Sequence, residues 1–207
     1  MVVGESHEWL EGEERAWSAL SEGDPEDVTR RAGARYDGAS QAYTLPFFGQ
    51  EISVCPRDRR IDGSSPTAGF LLGDLHYLSR VSILWYLIEA KDVPLSGNLV
   101  NPGHMNDGLI FASGAHALPL GGIADRYGDD LHGFLRRGVE LRGEPLDFGD
   151  ASLRLLAFPR VPVVLILWRH DEEFPARADL LFDSTCAIHL PTDILWSTAM
   201  MSLLVMF

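Results

Sequence analysis

The stretch that most restricts this chain is VPVVLILW, residues 161–168, which is apolar at every position. It is too short for a substantial helix and rich in β-branched residues, so it reads as a strand. Side chains alternate across a strand, so an unbroken apolar run implies that both faces are covered. The run is therefore expected to be a central strand with helices against at least one face. The flanking runs ASLRLLAFP and ADLLFDS are also of β type and follow short connections, which together predict an antiparallel meander.

Two earlier runs, AYTLPFFG and QEISVCP, meet at Gly49 and read as a hairpin. Between and around the strands lie helical segments. Residues 8–20 form one, stopped by Gly23. Asp24 followed by Pro25 suits the start of a second, because proline lacks the donor that would go unsatisfied there. FLLGDLHYLSRVSILWYLIEA is apolar around nearly its whole circumference, which implies a helix buried on several sides. LPLGGIADRYG and DDLHGFLRRGVELRG read as two short helices, with Asp129 capping the second, and a helix ends the chain. The expectation is an α+β fold: an antiparallel sheet of about five strands packed with helices, in a single domain over residues 1–207. The acidic helix within residues 1–23 is expected at its periphery.

Thirty acidic residues against seventeen basic ones give a net charge of −13. That balance argues against nucleic acid and anionic membrane as partners, since phosphate surfaces require a basic stripe. Cys55 and Cys186 are the only cysteines and have no CxxC spacing. They cannot hold an iron–sulfur cluster or structural zinc by themselves, and they fit a reducing compartment. The opening MVVGESHEW lacks a basic segment followed by an apolar one, so a cytoplasmic location is expected. The terminal run ILWSTAMMSLLVMF is shorter than the about 20 residues that a spanning helix needs. It is apolar enough to require a core or a second subunit, so a homo-oligomer through the C-terminal helix is one expectation.

No GxSxG, P-loop, HExxH or GxGxxG pattern occurs. His170, Asp171, Glu172 and Asp183 carry the atoms of a divalent-metal site. Neighbours on an extended chain point to opposite sides, however, and the reading preferred for DEE is the polar tip of a hairpin. Asp183 is read foremost as a cap for the turn after its strand. His116 stands just before a helix, where it either bonds backbone or acts as a ligand or acid–base group. His76 and Asp74 are assigned to the buried helix, where they need partners.

RAGARYD, VPLSGNLVNPG, GAHALPLGGIADRYG, FPRVPVVLILW, DEEFPARADLLFD and HLPTD follow one another between about residues 28 and 196. In that order they resemble a prokaryotic family known only as a domain of unknown function, common in anaerobes. Some members carry a fused four-cysteine iron–sulfur module or occur near corrinoid and one-carbon enzymes. The resemblance implies an accessory role, holding a corrinoid or other tetrapyrrole, or a metalloprotein or iron–sulfur partner. His116, Trp85, Trp168 and His76 are the candidate cofactor contacts. Two departures stand out: the chain has no four-cysteine module, and Trp85 occupies the slot of a histidine in the relatives' HYL motif, which here occurs nine residues earlier at His76. The alternatives are a metal-dependent enzyme using His116 with Asp171, Glu172 or Asp183, and a protein-interaction module.

Overall fold

The computed structural model describes residues 7–105, 111 and 117–207, with side chains from residue 12 onward. Helix α1 (His7–Glu22) leads into α2 (Pro25–Ala32). The Asp24 carboxylate accepts from Glu26 N at 3.1 Å, Pro25 takes the first helical position, and Gly33 ends the helix left-handed at φ 64°. This is the capping that the sequence predicts. Trp17 is 1% exposed and lies in the main core with Ala16 and Leu20, while Arg80 reaches Glu13 at 2.7 Å.

Strands β1 (Arg35–Asp37), β2 (Ala42–Phe47), β3 (Gln50–Cys55) and β4 (Arg60–Gly63) form an antiparallel sheet in that order. The β2–β3 turn places Phe48 and Gly49 at φ 46° and 72°, as a tight two-residue hairpin requires. A Cβ at Gly49 would come within 2.4 Å of the Leu141 carbonyl oxygen, so only glycine fits there.

Helices α3 (Pro66–Leu72) and α4 (His76–Glu89) replace the single helix expected from the sequence. The chain breaks at Gly73–Leu75, where Gly73 closes α3 by donating to Gly69 and Phe70 carbonyls. Beyond the break α4 is buried on several sides, as its apolar circumference predicts. The break also sets His76 and Asp74 at exposed positions rather than within a buried helix.

The second sheet comprises β5 (Leu99–Val100), β6 (Glu144–Leu146), β7 (Ala151–Phe158), β8 (Val161–Trp168) and β9 (Arg177–Asp183). Its order is β5-β9-β8-β7-β6 and every pairing is antiparallel. The expected meander is therefore present, with β8 at its centre and buried at every position but Trp168. A 3₁₀ turn at Pro102–His104 follows β5, and α5 (Leu120–Tyr127) and α6 (Leu131–Glu140) precede β6. Asp130, one residue later than expected, caps α6 by accepting from Gly133 N at 2.8 Å. Short α7 (Cys186–His189) and long α8 (Thr192–Leu204) complete the chain.

The α+β class is as expected, but the strands are divided between two sheets instead of sharing one. The sheets meet through side chains: Phe47 of β2 lies 4.9 Å from Phe158 of β7, which stacks on Tyr86 of α4 at 4.3 Å. Arg31 donates to the Ile88 and Ala90 carbonyls at the end of α4, and Arg160 donates to the Arg30 and Arg31 carbonyls at the end of α2. Two helix ends are thus satisfied by arginines from elsewhere in the fold. Helix α8 is buried around its circumference and packs on α4, and Val205 and Met206 are fully buried. Apart from Phe207, the apolar C-terminal run is buried or partly buried in the chain's own core. Among the described residues no helix is long and apolar enough to cross a membrane.

Candidate functional site

The acidic triplet is a hairpin tip. The Asp171 carboxylate accepts from Glu173 N at 2.8 Å and Phe174 N at 2.7 Å, and Asp171 N donates to the Phe174 carbonyl. Those backbone bonds hold its carboxyl below the usual aspartate range. His170 lies 3.4 Å from Asp129, and Glu172 is exposed. Asp183 ends the seven-residue strand β9, about 20 Å along from the tip. The strand itself therefore keeps Asp183 apart from His170, Asp171 and Glu172. Among the described residues no three His, Cys, Asp or Glu side chains are grouped to hold a metal.

The candidate cofactor contacts are likewise dispersed. Trp168 donates its Nε1–H to Asp179 at 2.7 Å, and the Arg177 guanidinium covers its ring at 4.5 Å. Trp85 is half-buried on α4 and packs against the core. His76, at the exposed start of the same helix, sets Nδ1 3.0 Å from the Gly73 carbonyl. His116 lies outside the described residues.

Asp183 does more than cap a turn. Its Oδ1 accepts from Thr185 N and Oγ1 at 3.0 and 2.6 Å and from Ser96 N and Oγ at 3.1 and 2.9 Å. Its Oδ2 accepts from Gly97 N at 2.7 Å. The side chain thereby ties the loop after α4 to the end of β9. Burial alone would raise its pKa, but these bonds outweigh burial and bring it down to about 2. Four donors on Oδ1 and one on Oδ2 compete with any metal or proton for the carboxylate's lone pairs. Sequence reasoning missed Ser96 and Gly97, although Gly97 at φ 76° in PLSGN marked a tight turn.

Cys186 and His189 follow on α7. The Cys186 thiol is fully buried, points at the Pro162 carbonyl, and is pushed up to about 12 by burial. His189, also fully buried, accepts from Lys91 N at Nδ1 (3.2 Å), while its Nε2 has no partner. Burial, then the charge of Arg160, pushes its pKa down and keeps it neutral. Asp, Cys and His thus stand within seven residues, yet the carboxylate is engaged by five donors, the thiol protonated and the imidazole sealed.

A groove of about 550 Å³ opens on another face, between α5, α6 and Phe207. It is lined by Arg126, Arg136, Arg137, Asp130 and Glu140, among others. Arg137 is anchored by Nε to the Val205 carbonyl at 2.9 Å and by Nη1 to Glu140 at 2.9 Å. Asp130 is held by its cap. Arg126 and Arg136 have no carboxylate partner among the described residues. The Arg126 guanidinium lies 5.3 Å from the Tyr127 ring and 5.8 Å from the Phe207 ring. Tyr127 is itself fixed, donating its hydroxyl to the Met206 carbonyl. The groove thus holds three guanidiniums against two carboxylates, both already engaged.

A family model described as Domain of unknown function (DUF3786) matches residues 24–204 of the chain. No curated protein and no solved structure matches it.

Proposed function

The chain belongs to this family, and from its own residues we propose that it is an accessory binding protein holding an anionic ligand in the α5–α6 groove. The observation that carries this reading is the pair Arg126 and Arg136. Among the described residues, ten arginines are seen to hold a carboxylate within 4.0 Å. On a protein of charge −13, two that do not hold one line the same groove. On so acidic a protein, two such arginines in one groove favour an anion there. Guanidinium forks bind carboxylate or phosphate with two parallel bonds, which supplies the specificity.

Binding is favoured over catalysis by the state of Asp183, Cys186 and His189, whose reactive atoms are engaged or sealed. A tetrapyrrole enters this reading through its carboxylate arms; a corrinoid, whose arms are amides, gains less from arginine. A metalloprotein partner would then meet the chain as donor or recipient of that ligand.

The test is titration calorimetry at low salt with haemin, cobalamin and citrate. Carboxylate-bearing ligands are expected to bind, and the double variant Arg126→Ala/Arg136→Ala to weaken them by at least about tenfold. Absence of heat with all three, or affinities unchanged in the variant, would overturn the reading.

A further inference from the structure

Resting on the groove reading above, we infer the class of its ligand: a flat aromatic ring carrying an oxyanion arm, as in a mononucleotide. The groove has two chemically different parts. One is the pair of unengaged guanidiniums. Exposed Arg126 sets its guanidinium carbon 5.3 and 5.8 Å from the centroids of the Tyr127 and Phe207 rings, within cation–π range of both. Arg136 is exposed and unanchored, free to close on the same oxyanion from α6.

The other part is the Phe207 ring, 47% exposed, which lies over α5 where a Cβ on Gly122 would come 3.0 Å from its Cζ. Glycine at 122 leaves room for the tip of that ring, and Phe207 lines the groove. A half-exposed aromatic ring beside a guanidinium that holds no carboxylate suits a ligand whose ring stacks while its oxyanion is forked. A bare anion would use only the arginines and leave that ring wet. A neutral ring would use only Phe207 and lose the electrostatic attraction.

Titration calorimetry of the full chain with inorganic phosphate, adenosine, adenosine 5′-monophosphate and flavin mononucleotide separates the parts. The inference expects at least one mononucleotide to bind about tenfold or more tighter than phosphate, and adenosine to bind weakly or not at all. Phe207→Ala should erase that advantage by weakening the mononucleotide far more than phosphate, and Arg126→Ala/Arg136→Ala should weaken both. Phosphate binding with no mononucleotide advantage, or an advantage that survives Phe207→Ala, would refute the ring half alone. No binding by phosphate or either mononucleotide would remove this inference, and the groove reading falls with it only if citrate and haemin are silent too; binding indifferent to the arginine variant would remove both. Circular dichroism of each variant shows whether it has folded.

Discussion

Replacing Asp183 by Asn tests the tightest polar node in the molecule. The substitution keeps the shape, but one oxygen becomes an NH₂ group. If the remaining oxygen keeps the four donors from Ser96 and Thr185, the new amide faces Gly97 N, where the present separation is 2.7 Å. One bond becomes a clash of donors, and the others lose their charge assistance. Charge-assisted bonds contribute about 1.5–3 kcal/mol against about 1 for neutral ones, so a loss of about 3 kcal/mol is expected. The titration gives an independent magnitude. A carboxyl held at about 2, against about 3.9 when unfolded, contributes about 2.5 kcal/mol at neutral pH. Because its folded value is depressed, that contribution is complete above pH ~3.9 and is lost as pH falls through about 2. Urea unfolding at several pH values is the assay. The gap between wild type and Asp183→Asn should be about 3 kcal/mol at pH 7 and narrow between about pH 4 and 2. A loss below about 1 kcal/mol at pH 7, or two parallel pH profiles, would refute the reasoning.

Gly138→Ala would place a Cβ 2.2 Å from Leu153 Cδ1, so overpacking should cost about 1–3 kcal/mol in thermal unfolding, with partial recovery when Leu153→Ala is added. In a Cys55→Ser background, Cys186 should react with a disulfide reagent at pH 8 only as fast as the protein unfolds; a rapid phase in the native protein would contradict its burial and raised pKa. His189 should titrate below the ordinary histidine value when followed by NMR. Its contribution to stability is then complete above pH ~6.5 and is lost as pH falls towards the folded value. Titration at or above the ordinary value would show that the ring finds a partner for its charged form.

The centre of the fold was legible because burial on both faces leaves a mark in composition. VPVVLILW needed no context to be placed at the middle of a sheet, and Asp24–Pro25 announced a helix start through backbone chemistry alone. The short strands Arg35–Asp37, Arg60–Gly63 and Glu144–Leu146 left no such mark. They are edge strands, mostly exposed, and owe their conformation to the neighbour they pair with. The division into two sheets was hidden for the same reason, since the strands that complete each sheet are the ones without hydrophobic signal. His76 was misplaced because an apolar pattern running through Gly73 looked continuous, whereas glycine let the helix stop. Of the site residues, the DEE tip was readable locally because its bonds are local. Ser96 reaches Asp183 across 87 positions, and Arg126, Arg136 and Phe207 meet only through packing, so no spacing rule reveals them.

The Phe48–Gly49 turn bears on how the chain reaches this state. Phe48 N donates to the Ala157 carbonyl at 3.2 Å, and Gly49 abuts the Leu141 carbonyl oxygen. The tip of the N-terminal hairpin is therefore seated only once strands made roughly a hundred residues later are in place. Such distant closure slows folding and welds the two halves into one cooperative transition. A nascent N-terminal half emerging from the ribosome would present Tyr43, Leu45 and Phe47 unshielded, an aggregation-prone surface until the last third is synthesised.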